Sequence, residues 1–258
     1  CPKPRFLSVI EDSTTTTSIS LTSRNAASEF IVDYKKGSDS VWSSVTGIQD
    51  TVATITGLTP STTYQFRVKA VCMVGDTSVW SEIIETPTEC APISLPFYED
   101  FSSSTFPAYC WSRMSGLAFS GAALTSTTSY ITRVTTNNGL QTPHAKINIY
   151  GTIKAWLITP EIDLANENGA ELTFDIALTD YSNGDTIEGT STSDDKFMVI
   201  VSRDGGNTWL RENATVWSDL ESDSADYSYR SIRRTGEHVS IDLSQYYGDT
   251  IKIAFYGE

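Results

Sequence analysis

The sequence predicts an all-β protein made of two β-sandwich domains, one after the other. Short runs of alternating apolar and polar residues, bounded by Gly, Pro, Asn and Ser, recur along the chain. No segment has a sustained apolar period of 3.6 residues, so we expect very little helix. After a short, stiff linker at Thr86–Glu89 the loops become longer and richer in Gly, Asn and Asp. We therefore divide the chain into domains 1–88 and 89–258.

The composition is that of a soluble, loop-rich β protein. The 258 residues include 18 Tyr and Trp together (12 and 6), and 19% are charged. The 32 acidic and 18 basic residues give a net charge of −14, which repels phosphate backbones and suits cations. Nucleic acid is therefore not an expected partner. No apolar run approaches the roughly 20 residues that span a bilayer, so we expect no transmembrane segment.

The first domain is organised around a turn that leads into a long alternating strand. Leu58 ends one strand, Pro60 fixes the backbone of the corner, and Tyr64 can fold back to hydrogen-bond the chain upstream. Seven strands are predicted in this domain, near Arg5–Ile10, Thr17–Thr22, Glu29–Lys35, Ser40–Ser44, Val52–Thr56, Thr63–Val71 and Val79–Glu85.

The spacing L-x-P-x-T-x-Y over Leu58–Tyr64, with this strand count, resembles that of fibronectin type III domains. The resemblance implies an immunoglobulin-like sandwich. The tryptophan commonly found at the end of the second strand of that family is missing. We expect Trp42 or Trp80 to fill the core instead.

The four cysteines are expected to form two disulfide bonds. In a fibronectin-like sandwich, a residue before the first strand and one at the end of the sixth lie at the same pole, which implies Cys1–Cys72. Cys90 and Cys110 flank the opening strand of the next domain and are expected to form the second pair. No C-x-x-C pair occurs, so a zinc site is not expected. Paired cysteines favour an oxidising, extracellular setting; four buried thiols of a cytosolic protein are the alternative.

The second domain shows many short strands and fits a jelly roll. Its predicted strands are Phe97–Phe101, Ala108–Met114, His144–Tyr150, Lys154–Ile158, Ala170–Leu178, Lys196–Ser202, Thr208–Asn213, His238–Asp242 and Ile251–Tyr256.

Three patterns in this domain resemble the cleaved-adhesin and choice-of-anchor family. They are the opening L-P-F-Y-E-D-F with F-P-A-Y-C-W over Leu95–Trp111, W-L-I-T-P-E-I-D-L over Trp156–Leu164, and I-K-I-A-F-Y-G over Ile251–Gly257. The resemblance covers about residues 90–258 and implies a jelly roll of a bacterial surface protein. The family usually continues into one more strand with an I-D-D-V-like core. That strand is not in this sequence, so we expect a jelly roll without its last strand.

A complete Asp-box pattern, S-x-D-x-G-x-T-W, lies at Ser202–Trp209. We expect a β-hairpin in which Asp204 accepts backbone N–H groups across the turn. Gly206 can adopt a positive φ and Trp209 folds underneath. Sialidase propellers carry such boxes, but one box cannot make a propeller, so we interpret this one as structural.

Calcium is the most credible cofactor, because hard cations take oxygen ligands from loops and carboxylates. Candidate ligands are Glu99 and Asp100 on the opening segment, and Asp194 and Asp195 before a central strand. Calcium sites are common in cleaved-adhesin domains, and Glu99-Asp100 is the part of their motif that matches. The alternative is a solvated acidic edge that prevents aggregation between strands.

Aromatic residues among Asp and Ser could bind a sugar. Trp217, Tyr227 and Tyr229 are the candidates for ligand binding. Many such residues in sandwiches instead line the core.

No catalytic constellation stands out. No G-x-S-x-G elbow occurs, and no carboxylate pair is distinguished from the other acids, so we expect no enzymatic activity. The sequence therefore predicts a monomeric, secreted or cell-surface adhesin-like protein that binds a host extracellular protein or glycan. The alternative is the accessory, substrate-binding region of a larger surface protease or glycan-degrading enzyme.

Overall fold

Within the described residues, every regular element of this computed structural model is a β-strand or a three-residue 3₁₀ helix. The structure describes residues 1–13, 17–22, 27–135, 140, 143–179 and 195–258. It divides into two compact units, 1–91 and 92–258. No described helix is long and apolar enough to cross a membrane. The predicted all-β fold is confirmed.

The first unit consists of two antiparallel sheets. One has the strand order β1-β2-β5, and the other has the order β4-β3-β6-β7, with β8 pairing with β6. The strands are β1 (Arg5–Asp12), β2 (Thr17–Thr22), β3 (Glu29–Lys36), β4 (Ser43–Ile48), β5 (Val52–Ile55), β6 (Thr63–Met73), β7 (Asp76–Thr77) and β8 (Ile84–Pro87).

The core of the first unit follows from the alternation along its central strands. In β6 the side chains of Tyr64, Phe66, Val68 and Ala70 point inward and are buried, whereas the residues between them face outward. They pack against inward residues of β3 and β5. The hydroxyl of Tyr64 accepts a hydrogen bond from the N–H of Thr59 at 2.9 Å, which closes the predicted tyrosine corner.

The boundary of this unit lies three residues later than the predicted end at residue 88. The N–H of Thr88 bonds to the carbonyl of Thr62, and the N–H of Ala91 bonds to Ser61 Oγ at 3.2 Å. These bonds hold the segment after β8 against the corner that precedes β6. The predicted linker is therefore part of the first unit.

The strand predicted at Val79–Glu85 is wrong in extent, because serine hydroxyls interrupt the ladder. Ser78 Oγ accepts the N–H of Ala70, and Ser81 Oγ accepts the N–H of Val68, at 2.9 and 3.0 Å. Side-chain oxygens thus take the place of carbonyls beside β6, and regular pairing begins only at Ile84.

Both candidate core tryptophans of the first unit lie on the outer face instead. The guanidinium carbon of Arg67 lies 4.2 Å from the ring centre of Trp42 and 4.3 Å from that of Trp80. Lys35 and Lys69 approach the same two rings at 5.3 and 4.6 Å. The expectation that Trp42 or Trp80 fills the core is wrong, since both rings are used to stack on cations.

The second unit has one eight-stranded sheet and two smaller pairs, β12-β13 and β16-β19. β20 is central: it pairs with β14 and β15 along one edge and with β17 along the other. The strands are β9 (Ile93–Ser94), β10 (Ser112–Ser115), β11 (Thr125–Ser126), β12 (Ile131–Val134), β13 (His144–Ile147), β14 (Ala155–Ile158), β15 (Ile162–Asp163), β16 (Glu171–Ile176), β17 (Lys196–Ser202), β18 (Ala214–Ser218), β19 (Glu237–Asp242) and β20 (Thr250–Gly257).

Two predicted strands of this unit are not formed. Phe97–Phe101 is irregular, because the Glu99 and Asp100 carboxylates accept N–H groups two residues ahead and Phe101 adopts a φ of 57°. Thr208–Asn213 is a turn that ends in a 3₁₀ helix at Arg211–Asn213, and the strand starts at Ala214. In both segments, side-chain acceptors or local turns bond the backbone N–H groups. These groups are then not available for the hydrogen bonds between strands that a β-sheet requires.

The predicted disulfide between Cys1 and Cys72 is present, with the two sulfur atoms 2.14 Å apart. Cys90 and Cys110 are each disulfide-bonded as well. No described cysteine is a free thiol.

Candidate binding cleft

The second unit contains a cleft of about 1270 Å³ beside β16. Five consecutive residues of that strand, Glu171–Asp175, border it. Its floor includes Ile162 of β15 with Ile253 and Phe255 of β20, which belong to the inner face of the large sheet. Ile162 and Ile253 are buried and Phe255 is half-buried, so the cleft has an apolar floor that is largely closed to solvent.

The opening segment forms a further wall of the cleft. Trp111 packs against Phe97 and against Phe101, in each case with ring centres 6.1 Å apart, and Phe101 contacts Phe106 at the same distance. This aromatic cluster fixes the irregular segment in place. Tyr98, which lies between two of its members, points outward and is 83% exposed.

The lining of the cleft is acidic. Glu99, Asp100, Glu171, Asp175 and Glu237 line it, with Arg234 and the two histidines of the chain. His144 is buried, whereas His238 is exposed and its Nδ1 lies 2.9 Å from Asp175 Oδ1 across the β16–β19 pair. Carboxylates thus outnumber the permanent cation, and the cleft favours positively charged groups.

Glu99 and Asp100 are held by their own backbone. Glu99 Oε1 accepts the N–H of Phe101 at 2.6 Å, and Asp100 Oδ1 accepts that of Ser102 at 2.8 Å. The bonds from Ser102, with the nearby Arg133 guanidinium, keep the pKa of Asp100 below its usual range. Arg133 also donates to the carbonyls of Phe101 and Ser102, at 2.5 and 3.0 Å, so a cation already contacts this turn.

Three of the four predicted calcium ligands, Glu99, Asp100 and Asp195, lie within the described residues. Asp195 contributes to the electrostatic environment of Tyr229, and Asp194 lies outside the described residues. Among the residues that the structure describes, the one group of three possible metal ligands is Cys1, Cys72 and Asp76, and two of these are joined as a disulfide. Calcium at Glu99 and Asp100 stays a prediction.

Two of the three predicted sugar-binding aromatics are buried. Trp217 is 2% exposed and packs against Phe197 in the core, and Tyr229 is 5% exposed. Burial, with the nearby Asp195 and Asp219 carboxylates, raises the pKa of the Tyr229 hydroxyl. Trp217 and Tyr229 therefore cannot offer a ring to a ligand in solvent, and the expectation for them is wrong.

Tyr227 differs from these two buried aromatics. Its ring stacks on Trp217 with centres 5.1 Å apart, yet it is 53% exposed. The inner face of the ring is used for packing and the outer face is open.

The Asp-box forms a loop held by its own hydrogen bonds. Asp204 accepts from the N–H and the hydroxyl of Thr208, at 2.9 and 2.7 Å, and Ser202 Oγ accepts the N–H of Gly206, which has a φ of 90°. Trp209 packs under the loop against Trp156, with ring centres 5.4 Å apart. The polar groups of Ser202, Asp204 and Thr208 are thus bonded within the loop, whereas the indole Nε1 of Trp209 is buried without a hydrogen-bond partner. The hydrogen bonds within the loop give the motif a structural role.

The sequence alone does not indicate that the residues of β16 belong to a binding site. Their alternation in Glu171–Ile176 is that of an ordinary half-buried strand. A cleft beside it depends on which strands pair, and nothing in the local sequence carries that information. The acidic residues that line the cleft come together only in the folded structure. Because they are far apart in sequence, no local pattern indicates that they share a site.

Comparison with known proteins identifies the first unit. Residues 2–87 match the fibronectin type III domain. The match covers the first third of the chain and agrees with the tyrosine corner and the two-sheet arrangement. The fibronectin type III domain is thus established at the N-terminus.

Solved structures give only a weak overall likeness. One described as "Myokine structure" is 16% identical, covers 34% of this chain and 96% of its own, and has a TM-score of 0.31. A computer-redesigned β-sandwich protein is 22% identical over 34% of this chain and 97% of its own, with a TM-score of 0.30. No curated protein matches the chain.

Proposed function

We propose that this protein is a secreted or cell-surface, adhesin-like binding protein that recognises a host protein or glycan without chemistry of its own. The fibronectin type III domain supports this, because that domain is common in binding and adhesion proteins. The disulfide bonds support the extracellular setting, since they persist in oxidising compartments. The binding surface in this proposal is the cleft beside β16.

The size and the lining of the cleft support its role as the binding surface. At about 1270 Å³ it exceeds the range of roughly 300–1000 Å³ that is usual for small-molecule pockets. It combines an apolar floor, aromatic side chains and a rim of carboxylates. Such a surface suits a segment of a larger molecule, which offers both apolar and polar groups.

The test is a binding array of extracellular matrix proteins and glycans, probed with the whole protein and two matched variants. Tyr98 lines the cleft and is 83% exposed, whereas Tyr150 is 74% exposed and lies outside the residues that line it. We expect Tyr98→Ala to weaken binding to the captured ligand by about tenfold and Tyr150→Ala to leave it unchanged. Equal effects of the two changes, or no ligand on the array, would overturn the proposal.

A further inference from the structure

One edge of β16 has no strand beside it in the described part of the chain. β16 pairs with β19 through six residue pairs, from Glu171↔Asp242 to Ile176↔Glu237. These two strands form a sheet of their own. Alternate N–H and C=O groups along the outer edge of such a strand are available for pairing with another chain.

The cleft contacts both faces of β16, and at the C-terminal end of this strand it also reaches Glu237 and His238 of β19. Leu172 and Phe174 point toward the core and Glu171, Thr173 and Asp175 point away from it, yet all five line the cleft. Consecutive side chains lie on opposite faces of a strand. A cavity that touches all of them therefore lies beside the backbone.

The side chains that line the cleft determine which side chains an added strand would need. The half-buried Leu172, Phe174 and Phe255, which line the cleft, favour apolar side chains on the inner face. The solvent side presents Glu171 and Asp175, four residues apart, which favours basic side chains at the same spacing. Opposite charges paired across strands contribute roughly 0.2–1 kcal/mol each.

We propose that β16 accepts an extended segment of a partner protein as an added strand. This inference rests on the proposed binding function of the cleft and names its ligand class. The segment has basic residues at positions i and i+4 and apolar residues at i+1 and i+3. Main-chain hydrogen bonds supply affinity in this mode of recognition, and the alternate side chains supply specificity.

A second copy of this chain fits the edge poorly. Antiparallel pairing of β16 with itself about a two-fold axis would place Glu171 of one copy near Asp175 of the other. Like charges directly opposite each other destabilise a strand pair. The acidic rim thus favours a basic partner strand over self-association.

The experiment titrates the whole, ¹⁵N-labelled protein with two capped seven-residue peptides, SKVTVKS and its charge-reversed form SEVTVES. We expect SKVTVKS to shift the amide signals of Glu171–Asp175 and to slow their hydrogen exchange, because the outer N–H groups become bonded. SEVTVES should bind at least about tenfold more weakly.

A charge-swapped variant provides the matched control. Glu171 and Asp175 are exposed, and so are Ser240 and His238, the partners that they contact on β19. Because the double variant Glu171→Lys, Asp175→Lys loses only exposed contacts, it should fold as the parent does, which circular dichroism checks. It should prefer SEVTVES over SKVTVKS. If neither peptide binds, if the preference does not reverse, or if the parent dimerises through β16, strand addition by a basic partner is wrong. A ligand found on the array that depends on Tyr98 would leave the proposed function standing in that case.

Discussion

The carboxylate of Asp33 is 4% exposed although it lies on the outward side of β3, and the guanidinium of Arg67 on β6 reaches its Oδ2 at 2.8 Å. Ser44 Oγ donates to Oδ1 of the same carboxylate at 2.5 Å. The rings of Trp42 and Trp80 cover the two faces of the guanidinium. The outer face of this sheet is therefore stabilised by the Asp33–Arg67 ion pair and by the stacking of Arg67 on the two tryptophan rings.

Removing the cation from this arrangement should destabilise the first unit. Arg67→Met keeps much of the side-chain length but leaves the buried Asp33 carboxylate without its counter-charge. We expect a loss of about 3 kcal/mol in the free energy of unfolding. Hydrogen exchange of the β6 amides in the whole protein measures it for this unit alone.

Lys69→Met is the matched control. Lys69 also stacks on Trp80, at 4.6 Å, but has no hydrogen bond to Asp33 in the structure. Its loss should cost at most about 1 kcal/mol. Similar losses for the two variants would show that stacking, and not the buried ion pair, dominates this face.

The tyrosine corner gives a second prediction. Tyr64→Phe removes the hydroxyl that accepts the Thr59 N–H while keeping the buried ring. Because that N–H would be left without its partner, we expect the first unit to lose about 1–2 kcal/mol. Tyr150→Phe changes an exposed ring and should leave the melting temperature unaltered. Equal melting temperatures for both variants would contradict a stabilising role of the corner.

These cases show why some features could be predicted from the sequence and others could not. The corner at Tyr64 and the turn at Asp204 are formed within a few consecutive residues, so their patterns carry the geometry. The outward placement of Trp42 depends on Arg67, which lies on a strand that is distant in sequence. The burial of Trp217 likewise depends on Phe197 of the neighbouring β17. Long-range pairing decided those outcomes, and the cleft beside β16 is a consequence of the same kind.

The Asp-box should make stability depend on pH at the acidic end. Hydrogen bonds from the Thr208 N–H, from Ser202 and from the Thr208 hydroxyl lower the pKa of Asp204 to about 2. A carboxyl group whose pKa is lower in the folded state contributes stability above the unfolded value near 4, and that contribution disappears as the pH falls toward 2.

Asp204→Asn should therefore destabilise the protein at pH 6, and the difference from the parent should shrink between pH 4 and pH 2. Urea unfolding at four pH values measures this. Asp39→Asn, at an exposed position, serves as the control and should show no such convergence. If the difference in unfolding free energy between Asp204→Asn and the parent stays constant with pH, the charge of Asp204 does not contribute to stability.

The disulfide between Cys1 and Cys72 closes a long loop, with a sequence separation of 71 between the two cysteines. Replacing both cysteines by alanine should destabilise the first unit by up to about 4 kcal/mol, because the unfolded chain gains freedom. Thiol titration of the unreduced, denatured parent should find almost no free thiol. Two free thiols per chain would contradict one of the two predicted pairs, and four would contradict both.

Calcium at the opening segment is a separate proposal, and Arg133 is its competitor in the structure. The guanidinium contacts the carbonyls of Phe101 and Ser102, next to the Glu99 and Asp100 carboxylates. If calcium binds there, it stabilises the folded state by mass action, so millimolar calcium should raise the melting temperature and EDTA should reverse the rise. Arg133→Gln removes the competing charge and should enlarge the shift, whereas Glu99→Gln with Asp100→Asn should abolish it. The absence of a shift in both the parent and Arg133→Gln would show that the guanidinium and the backbone N–H groups satisfy these carboxylates without a metal.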